Sequence, residues 1–257
     1  MGRLTRRFRT VSGIVLAVGL GYAPTARAGL AYDTSLASPG VYFGSGNSNT
    51  HWTVNTQAGV ELGVQALLRY VGPVTPQVGS GTYDVPLGTF GSPSSHTGAL
   101  WDFAFSANVH GAGLTLSGIT TQLSLVDVVN GTSGSFDALL IPDNAGYGPS
   151  GVNTAGSNLS TDYGFQNSEA LSFSGIAAGF SDSGFNPNQN DTYILTFSAA
   201  NSAGLSLGSV TETIVAGTGA PVPEPRDVAT LGVGLLGLAV LRQVGRRRAA
   251  GPPESLR

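Results

Sequence analysis

The sequence predicts an all-β fold: a single β-sandwich, jelly-roll-like, flanked by an N-terminal signal-peptide helix and a short C-terminal transmembrane helix. Three observations point there. Apolar runs between Gly29 and Ala220 are short and mostly alternate with polar residues. Glycine and polar turn residues punctuate the same span. The chain's two terminal apolar stretches lie outside it, each beside a group of arginines. The organisation that follows is a signal peptide over 1–28, an ectodomain over 29–220, a membrane-associated segment over 221–248 and a tail over 249–257.

The N-terminus places Arg3, Arg6, Arg7 and Arg9 before an apolar stretch from Val11 to about Ala23. Ala26 and Ala28 then present small side chains at the two positions a signal peptidase reads, with cleavage before Gly29. The stretch is short for a retained anchor, which needs about 20 apolar residues. Arg6-Arg7 hints at a twin-arginine route, but Phe8 falls one place early, so the general secretory route is favoured.

Within the ectodomain, "ALWDFAFSANV" sends Trp101, Phe103 and Phe105 one way and Asp102, Ala104 and Ser106 the other. Asp102 is thereby expected on a wet face, and Trp52 and Trp101 in the core. "VELGVQALLRYV" and "LTLSGITTQLSLVDVV" are long strand candidates. A helical reading of "VQALLRY" is broken by Gly59 and Gly63 before it and by Gly72-Pro73 after it. "DTYILTFSA" alternates Tyr193, Leu195 and Phe197 with Thr192, Ile194 and Thr196, and "AANSAG" joins it to "LSLGSVTETIVA" as a hairpin. Eight to eleven strands are expected, with glycine-rich loops over 143–160 and 177–190. No 20-to-50-residue repeat is present, which argues against a solenoid or propeller.

Charge narrows the function classes. All twelve basic residues are arginine, and between Gly29 and Ala220 only Arg69 remains, against twelve carboxylates. A region so acidic repels phosphate backbones, which excludes nucleic acid as a partner and leaves divalent cations, cationic partners or neutral sugars. The absence of cysteine removes disulfides, thiolate metal sites and a cysteine nucleophile.

The densest polar cluster is "FSDSGFNPNQNDTY". Asp182, Asn186, Asn188, Asn190 and Asp191 offer hard oxygen ligands suited to Ca²⁺. The spacing is not that of an EF-hand loop, and turn chemistry entering a strand accounts for the same residues. No other cofactor is implied. Asp137, Asp143 and Asn144 near Tyr147 have the composition of a sugar-binding loop or of a solvated one. His51, His96 and His110 stand far apart in sequence and read as surface or strand-end residues. There is no GxSxG, phosphate loop or dinucleotide fingerprint, and twelve carboxylates cannot be paired into a glycosidase from sequence, so the reading is non-catalytic.

At the C-terminus, Val222-Pro223-Glu224-Pro225 precedes an apolar run from Val228 to Leu241, then Arg242 and Arg246-Arg247-Arg248. The two prolines hold an extended backbone. The arginines keep this end cytoplasmic. The run from Val228 to Leu241, at about 1.5 Å per residue, falls short of a hydrocarbon core of about 30 Å. Gly232, Gly234 and Gly237 weaken it further, so membrane insertion is expected to be transient.

Pro-Glu-Pro, a short glycine-leucine helix and an arginine cluster together resemble the PEP-CTERM sorting signal. The stretches "YFGSGNSNTHWTVNTQAGVELGVQALLRY", "QNSEALSF" and "FNPNQNDTYILTF" resemble a recurring ectodomain of such proteins, which carries no established activity. Arg226-Asp227 and the tail "AAGPPESLR" depart from the family's usual pattern. The resemblance implies export from a Gram-negative cell and recognition of Pro223, Glu224 and Pro225 by an exosortase-like membrane peptidase. It also implies a final place at the cell surface or outside, with exopolysaccharide as a possible neighbour. The expected function is that of a surface or matrix protein. The alternatives are a secreted carbohydrate-binding module, with or without Ca²⁺, and a secreted polysaccharide hydrolase.

Overall fold

A computed structural model describes residues 29–37, 48–91, 97–149, 153–182 and 184–219, without the side chains of 153–155. Ala26, Ala28, the expected sorting motif Val222 to Pro225, the arginines Arg242, Arg246, Arg247 and Arg248, and both expected terminal helices lie outside these residues. Among the described residues, no helix is long and apolar enough to cross a membrane.

The described chain forms thirteen strands and one short α-helix, with three 3₁₀ turns. The strands are β1 (Gly29–Thr34), β2 (Trp52–Gln57), β3 (Val60–Leu68), β4 (Gly72–Pro73), β5 (Thr82–Val85), β6 (Trp101–Asn108), β7 (Ile119–Asp127), β8 (Thr132–Phe136), β9 (Ala145–Tyr147), β10 (Asn153–Ala155), β11 (Gly164–Glu169), β12 (Asp191–Asn201) and β13 (Ser206–Ala216). Helix α1 spans Ser174–Gly179. The strand count exceeds the expected eight to eleven because short pairings such as β9 and β10 form inside the stretch read as a loop.

The strands divide into two sheets. The larger runs β1-β2-β3-β6-β11-β9-β10, with β4 on β3; the smaller runs β5-β13-β12-β7-β8. The β2–β3 hairpin closes through Ala58 and Gly59, both at positive φ, the two-residue turn whose twist matches the flanking strands. "AANSAG" makes the predicted β12–β13 hairpin.

Alternation decides the core. Trp101, Phe103 and Phe105 of β6 face Tyr193 and Phe197 of β12 across the sandwich; Trp101 and Tyr193 have ring centroids 5.4 Å apart, and Phe105 and Phe197 5.6 Å. Phe165 of β11 meets Phe197 edge-on. Both tryptophans are buried, as expected. Trp52 sits on the opposite side of the large sheet, where Leu36 packs with it, Val54, Leu67 and Ala104.

Helix α1 was not legible in the pattern. It lays Ile176 and Phe180 against the core and runs beside β8, where a Cβ on Gly134 would collide with the Phe180 backbone. That close approach is what the glycine permits.

Candidate functional site

The smaller sheet carries an acidic interior at one end. The inward register of β7 is Ile119, Thr121, Leu123, Leu125 and then Asp127, so the strand's own alternation buries the last carboxylate completely. The inward register of β12 begins with Asp191 and continues through Tyr193, Leu195 and Phe197. Tyr193 pairs directly with Asp127. Helix termination delivers the third acid. Ser181 adopts positive φ, the Asp182 N–H donates to the Ala177 carbonyl at 2.8 Å, and that of Ser181 to Ala178 at 3.0 Å. This is a Schellman ending with serine where glycine is usual, and it turns Asp182 inward. Asp182 and Asp191 are each 1% exposed.

The polar contacts of the three are incomplete. Asp127 Oδ1 accepts the Asn130 N–H at 2.8 Å and its Oδ2 the Asn130 amide at 2.7 Å. Asp191 Oδ1 accepts the N–H groups of Thr192 at 2.6 Å and Val129 at 3.2 Å. The Thr132 hydroxyl donates to Asp182 Oδ1 at 3.3 Å. Oδ2 of Asp182 and Oδ2 of Asp191 are buried with no hydrogen-bond partner. Burial raises the carboxyls of Asp182 and Asp191 above the ordinary aspartate range, and the charge of Asp127 pushes both further. Tyr193 is raised as well, by burial and then by all three acids.

Asp182 and Asp191 of the predicted ligand set thus come together. Asn186, Asn188 and Asn190 stay exposed. Asn186 accepts the Asn188 N–H at 3.0 Å, and Asn190 the Thr218 N–H at 3.0 Å. They are turn residues, and Asp127 takes their place beside the two acids. Asp127 was missed because a single acid at a strand end reads as a turn residue. Its place in the i, i+2 series with Leu123 and Leu125 was the available signal. Among the described residues, no three acidic or imidazole side chains already converge as a metal centre.

A second buried acid site surrounds Arg69. Its guanidinium lies 3.9 Å from Asp102 and within 5.2 to 5.8 Å of the rings of Tyr70, Phe90 and Phe173. It also donates to the Thr97 and Ala99 carbonyls. The expectation of a wet Asp102 is corrected: its side chain is 16% exposed, because the outer side of the large sheet is largely covered. Burial outweighs Arg69 and pushes the carboxyl up to about 7. Burial, then the charges of Asp143 and Asp102, push Glu169 up to about 7 as well. Glu212 is buried with neither oxygen partnered, and burial raises it well above the usual range.

The residues of the predicted sugar loop serve the fold. Asp137 accepts the Leu139 N–H at 3.1 Å and the Thr121 hydroxyl at 2.6 Å. Asn144, fully buried, donates to the Ala138 carbonyl at 2.8 Å, and Asp143 accepts from Asn167 at 3.0 Å. Tyr147 lies in β9. His51 pairs with Asp33 at 2.6 Å, the His110 ring lies tilted against Tyr163 with centroids 4.6 Å apart, and His96 lies outside the described residues. A cavity of about 280 Å³ opens beside Thr56, Glu61, Asn108 and His110, with Glu61 accepting the Ala37 N–H at 2.9 Å.

No known protein-family model matches this chain. No curated protein matches it either.

Proposed function

We propose that this chain is an exported, non-catalytic surface or extracellular-matrix protein whose β-sandwich is delivered by the two terminal signals. One observation supports the reading best. The strands of both sheets are drawn from the interval between the two terminal signals, and the last of them, β13, ends at Ala216, ahead of the Val222-Pro223-Glu224-Pro225 motif. A sandwich built from that interval is the cargo the two signals would deliver. In this reading the segment after Pro225 holds the chain in the inner membrane while Arg242 and Arg246 to Arg248 stop its transfer. An exosortase-like peptidase then reads the motif. We further infer a jelly-roll-like connectivity, because the chain moves between the sheets at β5, β6, β7, β9 and β12.

Intact mass and fractionation of the native protein test this. The mature chain is expected to begin at or near Gly29 and to end near Pro225. Replacing Pro223, Glu224 and Pro225 with alanine should leave it in the inner membrane. A retained arginine tail, or unchanged secretion of the triple variant, overturns the sorting reading.

A second reading, a secreted carbohydrate-binding module, draws on the cavity beside Thr56, Glu61, Asn108 and His110, whose polar groups suit sugar hydroxyls. Glycan-array binding lost on Glu61→Gln would favour it.

A further inference from the structure

We infer that the cavity beside Thr56, Glu61, Asn108 and His110 binds one neutral sugar residue through a vicinal diol, whose two hydroxyls donate to the Glu61 carboxylate. The inference deepens the carbohydrate-binding reading and rests on it; it is independent of the sorting proposal.

Sheet register puts the polar groups in a line. Thr56 pairs with Glu61, and Glu61 with Asn108. Val60, Leu62 and Ala107 point into the sandwich, so Glu61 and Asn108 point away from it. Hydroxyl, carboxylate and amide thus stand side by side on three adjacent strands, about 5 Å apart. Glu61 and Asn108, 8% and 7% exposed, form the floor, and the exposed Thr56 and His110 form the rim. One wall is a contact of two glycine backbones. A Cβ on Gly111 would stand 2.7 Å from the Gly59 carbonyl oxygen.

The Glu61 carboxylate is under-used. It has about four acceptor positions. Among the described residues one donor reaches it, the Ala37 N–H, at 3.0 Å from one oxygen and 2.9 Å from the other. That shared N–H fixes the plane of the carboxylate and leaves acceptor capacity on each oxygen. The strap that carries it is itself held. The Leu36 N–H donates to Asn49 Oδ1 at 2.7 Å, the Asn49 amide donates back to the Leu36 carbonyl at 3.0 Å, and Leu36 packs with Trp52. Burial raises the Glu61 carboxyl above the ordinary glutamate range, and the Ala37 N–H opposes the shift. Two further donors would relieve the cost of keeping the charge buried.

A pair of adjacent hydroxyls is the donor set that fits. Each hydroxyl donates to the carboxylate and still accepts from a neighbour. The lining answers both roles, because the Thr56 hydroxyl, the Asn108 amide and the His110 imidazole each donate and accept. An ammonium group only donates, and an anion would meet a buried carboxylate. A space of about 280 Å³ lies just under the range that holds drug-sized ligands and admits about one sugar ring.

The test is ligand-observed NMR and calorimetric titration of the full chain with the neutral methyl glycosides of glucose, galactose, mannose and fucose. At least one should saturate with a Kd of about 1 mM. Its analogue lacking one of the adjacent hydroxyls should bind about tenfold more weakly. Glu61→Gln should weaken binding by about tenfold or more. Thr56→Val, on the exposed rim, should weaken it by about threefold and serves if the first variant fails to fold. A glycoside that binds wild type and both folded variants alike overturns the site and leaves the carbohydrate-binding reading standing. No binding of any glycoside at about 50 mM, far above that Kd, overturns both. Equal affinity for the deoxygenated analogue, or tighter binding of spermidine than of any glycoside, overturns the diol assignment.

Discussion

Carboxylates are buried in two parts of this domain under opposite conditions. Beside Asp102 the chain supplies its own cation, Arg69, inside an aromatic enclosure. Around Asp127, Asp182 and Asp191 no cation acts among the described residues. Even the first site is incompletely neutralised, since desolvation outweighs the arginine at 3.9 Å and holds Asp102 near 7. At Asp182 and Asp191, burial and the charge of Asp127 raise the carboxyls, and only hydrogen bonds oppose the shift. Burial is the largest influence on each of these raised acids, whether or not a cation stands beside it.

The comparison can be broken most forcefully at Arg69. Arg69→Met keeps much of the packing but strands Asp102 without a cation. The expected loss is about 3 to 5 kcal/mol at pH 7.5, read as a midpoint lowered by about 10 °C. Arg69→Lys should recover less than half, because lysine reproduces neither the planar stacking nor the fork of donors. Full recovery by lysine would reduce the site to a simple ion pair.

A smaller effect follows from pH. Asp102 and Glu169 are both raised in the folded chain, so the folded state binds more protons than the unfolded one between pH about 4 and 7. Their contribution is whole below pH about 4 and is lost as pH rises through about 7, on the order of 3 kcal/mol apiece. Denaturant unfolding from pH 4.5 to 8 should show stability falling, and Glu169→Gln should flatten part of that slope. A flat wild-type profile would mean that water reaches these acids.

The smallest change concerns Glu212, a lone buried acid with no charged partner. Glu212→Gln removes the cost of keeping it protonated and should stabilise the domain at pH 7.5 by about 1 to 2 kcal/mol. Destabilisation instead would show that its carboxyl is held by an interaction an amide cannot reproduce.

What was legible in the sequence follows from period. The strict alternation of Trp101, Phe103 and Phe105, and of Tyr193, Leu195 and Phe197, located the facing core strands. The same rule placed Asp102 opposite Trp101, but alternation says which side a residue faces and not what covers that side. That Leu36 folds back over the large sheet, or that Phe90 and Phe173 reach Arg69, depends on contacts between distant segments. The acid cluster was half legible. Local composition flagged Asp182 and Asp191 together with three asparagines, and could not tell inward from outward oxygens. Asp127, about 60 residues upstream, joins them only through the β7–β12 pairing. Helix α1 is too short for a helical period to emerge from its six residues.

The most direct measurement is the intact mass of the native protein, taken together with its location in fractionated cells. The sorting account predicts a chain that begins at or near Gly29, ends near Pro225 and is found outside the inner membrane. A full-length chain held in that membrane would contradict it.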